Sequence, residues 1–329
     1  MRVLPGFVLF AGCAVATSSV AACGGGGAGP DGRDDGGPSA DGGANPDARR
    51  DGGGPGGPDA AGGRSTVDRP DDSPLPQVQA VYALASDGAD RQFDVAGNIA
   101  RSVDLWNDWL AAETGGIRLR LDTYQGELDV LFVRLDRTEA ELAASGIYLR
   151  NELEASMNRL GLLENNKMYA MYYDGPSDAA CGGGAFPPSL VGQVGALYLG
   201  AELAGYPPCD DLGLGAQAFP QYLEFAMIHE LFHTLGIVAA CAPHNTLTAH
   251  VSDGANDLMY SGNQPWQPNT LDNNQDDYYN TGSSSCLRLD NSAFLDPQPA
   301  NPVMPPGWGN RAPAPTEPGM AGCLLPPAR

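Results

Sequence analysis

Positive charge is what this sequence has least of. Between Met168 and Pro297, Arg288 is the one basic residue against 14 acidic ones, and residues 77–297 hold 10 Lys and Arg against 29 Asp and Glu. Such a surface repels a phosphate backbone, which excludes nucleic acid as a partner. Solubility outside a cell is the plain account of the charge; calcium sites or a taste for cationic substrates are the sharper ones. No CxxC pair occurs, so a cysteine zinc knuckle is excluded. No stop-transfer segment follows the apolar N-terminal run, and Pro5 and Gly6 interrupt it, so that run is not a spanning helix. After Glu230 the only glutamate is Glu317.

Histidine is scarce too, with four in the chain, yet two of them stand in Phe225–Gly236, FAMIHELFHTLG. On a helix, His229 and His233 lie one turn apart on one face, with Glu230 beside them. Two imidazoles then converge on one ion and a carboxylate stands ready as a general base, which is the chemistry of zinc-assisted hydrolysis. The alternative is a buried amphipathic helix whose histidines fall four apart by accident. With His and Glu this rare, a chance HExxH has odds of roughly 1 in a few hundred, so the zinc reading is preferred.

Two histidines hold zinc loosely, and a third protein ligand is expected, with water in the fourth position. The missing downstream glutamate excludes the class that takes its third ligand from a later helix. Gly236 suits a helix that stops in a left-handed turn and sends the chain back toward the metal. Here the sequence resembles the metzincin metallopeptidases, whose longer pattern is HExxHxxGxxH followed by a methionine turn. The resemblance covers His229, Glu230, His233 and Gly236; Ala239 stands where the third histidine is expected, and an insertion with Cys241 and Pro243 leads to His244 and His250. The segment from His250 to Met259 and Tyr260 looks like the third-ligand-to-Met-turn segment of the matrixin branch, and a delayed third histidine is also found in the leishmanolysin-like branch. The resemblance therefore implies His250 as third ligand, with His244 as its competitor, and Met259 as the turn methionine rather than an ordinary core residue. It implies an α/β (α+β) zincin domain: a mixed twisted sheet, an active-site helix and a smaller C-terminal subdomain. Glu230 would take a proton from the attacking water and return it to the leaving amine. Tyr260 either supports the oxyanion or packs under the site. An extended peptide would pair with the edge strand of the sheet, for which Gly195–Leu199 is the candidate.

The N-terminus adds an address. Residues 1–22 read as a signal peptide, and Val20-Ala21-Ala22-Cys23 resembles a bacterial lipobox, which would place a lipid on Cys23 and the protein on the cell envelope. A signal cut after a small-x-small site, giving a fully secreted protein, is the other reading; Cys13 has too short an apolar run before it. Residues 24–63 contain 17 glycines in 40 positions and no large apolar side chain, so 23–76 reads as a disordered tether. The catalytic domain is expected over 77–297 and a Pro-rich tail over 298–329.

Seven cysteines suit an oxidising compartment. Cys181–Cys209 and Cys241–Cys286 are the expected pairs, with Cys323 left over. Within the domain, strands are expected at Val78–Ala85, Ile117–Tyr124, Leu128–Leu135, Lys167–Tyr173 and Val194–Leu199. Helices are expected from Val95 to Ala112 behind an Asp94 cap, from Thr138 to Leu163 with a Thr138/Glu141 capping box, and through the motif with Pro220 in its first turn. Asp272, Asp276 and Asp277 are either calcium ligands or part of a capped turn. A second functional class stays open: a surface-anchored binding or adhesion lipoprotein with a structural zinc, His244 supplying the fourth ligand.

Overall fold

Gln77–Leu84, β1, is buried along its whole length because it lies mid-sheet with helices on both faces. The computed structural model describes residues 64–203, 209, 213–246, 248–282 and 286–308, and the backbone of 323–324. The signal segment, Cys13, Cys23, the glycine-rich stretch to residue 63 and Glu317 lie outside these residues, as does the Cys323 side chain.

In chain order, β1 is followed by α1 (Asn98–Thr114), β2 (Arg118–Leu119), β3 (Thr123–Tyr124), β4 (Glu127–Leu128) and β5 (Val130–Arg134). Then come α2 (Glu139–Ala143), α3 (Leu149–Arg159), β6 (Lys167–Ser177), β7 (Gly182–Gly184), β8 (Val194–Ala201), α4 (Tyr222–Leu235), β9 (Leu295–Asp296) and β10 (Cys323–Leu324). The central sheet runs β10-β7-β8-β6-β1-β5. Neighbours among β8, β6, β1 and β5 are parallel, whereas β7 is antiparallel to β8 and β10 to β7. The molecule is thus a mixed α/β protein with a central mixed sheet.

Alternation along the strands divides the core in two. Tyr82, Leu84, Ala170, Tyr172, Leu197 and Leu199 face one layer with α1 and α4; Val81, Ala83, Tyr169, Met171, Ala196 and Tyr198 face the other with α2 and α3. The apolar stripe Ile99, Val103, Trp106 and Leu110 is buried as its spacing requires. Both expected disulfides are formed, Cys181–Cys209 and Cys241–Cys286, with Cα atoms 5.9 and 5.8 Å apart.

Several expectations are corrected. Asp94 does not cap α1: its carboxylate accepts from Arg64 at 2.6 Å, and the helix starts behind Gly97. The Thr138 capping box forms, but the helix it starts breaks at Ser145–Gly146 and resumes as α3. The region expected as one strand to Tyr124 divides into β2, which pairs with β9, and β3, which pairs with β4. Gly195–Leu199 is not an edge, since β7 lies beyond it. Packed chain also begins before residue 77. Ser65 bridges to Leu131, and Asp68, Asp71 and Asp122 surround the Lys167 ammonium at 2.6, 2.8 and 2.8 Å. It continues past 297 as well: the Val303 amide donates to Asn291, and Trp308 stacks edge-on against Phe294. Among the described residues no helix is long and apolar enough to cross a membrane.

Candidate metal centre

The helix that carries the motif is fixed at both ends by local chemistry. Gln221 is its N-cap, with Glu224 accepting from the Gln221 amide at 3.0 Å, so Pro220 precedes the cap and does not occupy the first turn. Gly236 ends it at φ 74°, the left-handed conformation a side chain would resist. Every residue from Ala226 to Leu235 is buried, which places His229 and His233 inside the protein, each 0 % exposed.

The insertion after Gly236 folds back on itself. Asn245 donates its side-chain amide to Val238 O at 2.8 Å, and the Thr246 amide donates to His250 O at 2.7 Å. This loop returns His250 to the helix, and its Nε2 lies 3.1 Å from Nε2 of His229 and 3.1 Å from Nε2 of His233. On His229, Nδ1–H donates to Leu258 O at 2.7 Å, which leaves Nε2 as a lone pair. Burial pushes the His250 imidazole down to about 4. Burial, and then the neighbouring histidines, hold His229 and His233 well below their ordinary value. Neutral imidazoles with converging nitrogens are a ligand set: zinc–nitrogen bonds of about 2.0–2.1 Å in a tetrahedron put the nitrogens roughly 3.3 Å apart. These three nitrogens can hold one metal ion.

No protein-family model matches the sequence, and no curated protein matches it. Among solved structures the chain is similar to wild-type OgpA from Akkermansia muciniphila in two crystal forms. One gives a TM-score of 0.31 at 15% identity over 50% of this chain and 49% of that one. The other gives 0.33 at 16% identity over 60% and 56%. It is also similar to catalytically inactive OgpA in complex with an O-glycopeptide substrate, glycodrosocin, with a TM-score of 0.29 at 15% identity over 57% and 55%. The chain spans about half the length of these structures. Likeness this low leaves the function to be argued from the residues themselves.

Glu230 is 0 % exposed, and neither of its carboxylate oxygens has a hydrogen-bond partner. Burial pushes its pKa well above the usual carboxylate range, opposed by the charge of the buried Arg150. What closes over it is β7. A Cβ on Gly184 would stand 2.5 Å from Glu230 O, 2.9 Å from His233 Cβ and 3.0 Å from Glu230 Oε2, so the strand fits against the helix only as glycine.

Met259 is fully buried, and its amide donates to Asp257 Oδ1 at 2.7 Å. Asp257 also accepts from the Asn273 amide at 2.7 Å and Tyr278 Oη at 2.8 Å, and burial pushes its pKa to about 7. Asp257 therefore ties the turn around Met259 to the chain beyond it, a role that sequence reading missed although the residue lies between His250 and Met259. Trp266 was missed as well: its Nε1–H donates to Leu258 O at 3.1 Å, the carbonyl that also orients His229, and its ring lies 5.5 Å from that imidazole. Nothing in its sequence neighbourhood announces this. Tyr260 packs over Gly262, and its hydroxyl accepts from the Gln264 amide at 3.3 Å, which favours the packing reading over oxyanion support.

His244 is not brought to the three-histidine site. Its Nδ1 lies 3.0 Å from Asp277 Oδ2, so it neither replaces His250 nor adds a fourth ligand. Asp272 accepts the amides of Tyr278 and Tyr279 at 2.7 and 2.6 Å as a capped turn does; the ligand cluster that includes Asp276 and Asp277 takes in His244 and Asp253, not Asp272.

Proposed function

We propose that this chain is a zinc-dependent endopeptidase of metzincin type, exported and held at the cell envelope through a lipid on Cys23. The observation that carries the reading is the meeting of three neutral Nε2 atoms at the helix turn that also carries Glu230, whose buried carboxylate has no hydrogen-bond partner among the described residues. His229, His233 and His250 are the ligands, and a metal held there would supply Lewis acidity that makes water a nucleophile near neutral pH. Glu230 accepts the proton of the attacking water and delivers it to the leaving amine; its buried, unpaired carboxylate suits a group that must carry a proton near neutral pH. Leu258 O and Trp266 hold His229 in the tautomer that ligates. An extended peptide substrate would not add at the β8 edge first expected, which β7 covers, nor at β7, the strand nearest Glu230, whose other side is paired with β10. The tether and the lipid anchor rest on residues 1–63 and remain part of the proposal.

The test is cleavage of a quenched-peptide library by the full chain, with zinc counted in the same sample. Activity is expected to vanish with a chelator and return with zinc. Glu230→Ala is expected to keep the metal and lose about 10²–10⁴-fold in rate. Wild-type rates from Glu230→Ala would refute the mechanism. One zinc per chain without chelator-sensitive cleavage would instead favour the binding-lipoprotein reading.

A further inference from the structure

His244 belongs to a second cluster, with Asp253, Asp276 and Asp277, in which one ligand atom from each residue lies within 4.8 Å of the others. From His244 Nδ1 the distances are 3.0 Å to Asp277 Oδ2, 3.8 Å to Asp276 Oδ1 and 3.9 Å to Asp253 Oδ2. An ion pair accounts for His244 and Asp277, because the His244 amide also donates to Asp277 Oδ1 at 2.7 Å. It does not account for the other two acids. The Asp253 side chain is 9 % exposed; its Oδ2 accepts from Asn273 Nδ2 at 3.2 Å and Asn274 Nδ2 at 3.5 Å, while Oδ1 is shut off from solvent without a donor. Asp276 Oδ1, the oxygen nearest His244, is also shut off and without a donor, although the Asp276 side chain as a whole is 43 % exposed and that of His244 37 %.

Three carboxylates against one imidazole leave at least two negative charges uncompensated, and buried oxygens without donors are costly. The one basic residue between 168 and 297 does not relieve them: Arg288 pairs with Asp290 at 3.3 Å. A cation at the centre would satisfy all four groups at once. We propose that His244, Asp253, Asp276 and Asp277 bind a second divalent transition-metal ion, of the zinc or manganese type, that braces the loop carrying His250. The imidazole nitrogen decides the class, since calcium and magnesium take all-oxygen shells while zinc and manganese accept mixed nitrogen and carboxylate sets. Zinc bonds of about 2.0–2.2 Å place tetrahedral donors roughly 3.3 Å apart, and the distances from Nδ1 bracket that value. The ion would join three pieces of chain: the loop that Cys241–Cys286 pins, the segment between His250 and Met259, and the turn capped by Asp272. Asp253 is three residues from His250, so bracing it holds the third ligand in register with the helix.

Metal counting on the full chain tests the proposal and does not depend on peptidase activity. Elemental analysis after zinc loading and desalting is expected to give two zinc ions for the wild type. It should give one for Asp253→Asn/Asp276→Asn, and one for His229→Ala/His233→Ala. In the latter variant, zinc should raise the melting temperature while magnesium does not. A wild type with no zinc overturns the proposal, as does a zinc count that Asp253→Asn/Asp276→Asn leaves unchanged; one zinc that survives in His229→Ala/His233→Ala and is lost in Asp253→Asn/Asp276→Asn would instead fail the three-histidine site and keep this one. A His229→Ala/His233→Ala protein that holds none, or one that responds to calcium but not to zinc, also overturns it.

Discussion

His250 carries the largest testable consequence at the scale of single residues. Burial holds its pKa at about 4, whereas an unfolded histidine titrates near 6.5, so the unfolded chain binds the proton first. In metal-free protein, the stability this group contributes is complete above about pH 6.5 and is lost as pH falls through about 4. Over that window it amounts to about 1.4 kcal/mol per pH unit for the one group. Urea unfolding of the chelator-treated chain between pH 7 and 4 measures it, and His250→Gln is expected to flatten the slope by one proton. An unchanged slope in that variant would mean that His250 is not buried as described. The HExxH histidines and Glu230 were legible because their chemistry requires a fixed spacing on one helix. Trp266 and Asp257 were not, because a hydrogen bond from Trp266 to the Leu258 carbonyl, and the bonds Asp257 accepts from the Met259 and Asn273 amides and the Tyr278 hydroxyl, leave no periodic trace.

At the scale of elements, the strands that read most clearly were those buried on both faces. Lys167–Tyr173 is rich in strand formers and Val194–Leu199 is apolar throughout, and they extend in the structure to Ser177 and Ala201. The run Cys181-Gly-Gly-Gly carried no strand signal, since glycine has neither strand preference nor a side chain to alternate. It becomes β7 because only a strand without Cβ atoms can lie against Glu230 and His233. Gly184→Ala is accordingly expected to cost about 1–3 kcal/mol by overpacking. It should also lower peptide cleavage, since the shift falls on the two residues at the site. A wild-type urea midpoint for Gly184→Ala would contradict the close approach of β7 to α4. The delayed third ligand was readable only in outline: the fold-back through Asn245 and Thr246, which returns His250 to the helix, depends on backbone bonds that composition does not encode.

At the scale of the molecule, the segment from Arg64 to Asp72 is a strap that bridges to the edge strand β5 through Ser65 and closes on the start of β6 at Lys167. Arg64 reaches Asp90 and Asp94, Arg69 reaches Asp129 at 2.7 Å, and Asp68 and Asp71 close on Lys167. Burial pushes Asp122, which shares the same ammonium, up to about 7 even with Lys167 beside it. Pro70 and its aspartates made this strap read as tether; in sequence the acids that anchor it differ in no visible way from those before them. Its anchor has another use. Lys167 is the sole lysine in the chain, and its side chain is 0 % exposed. Folded protein therefore offers an amine-reactive acylating reagent no lysine at all, and acetylation of Lys167 becomes a clock for opening of the strap. Mass spectrometry is expected to find Lys167 unmodified in native protein and labelled at the opening rate as urea is added. Labelling of native protein as fast as free lysine would show that the strap does not hold.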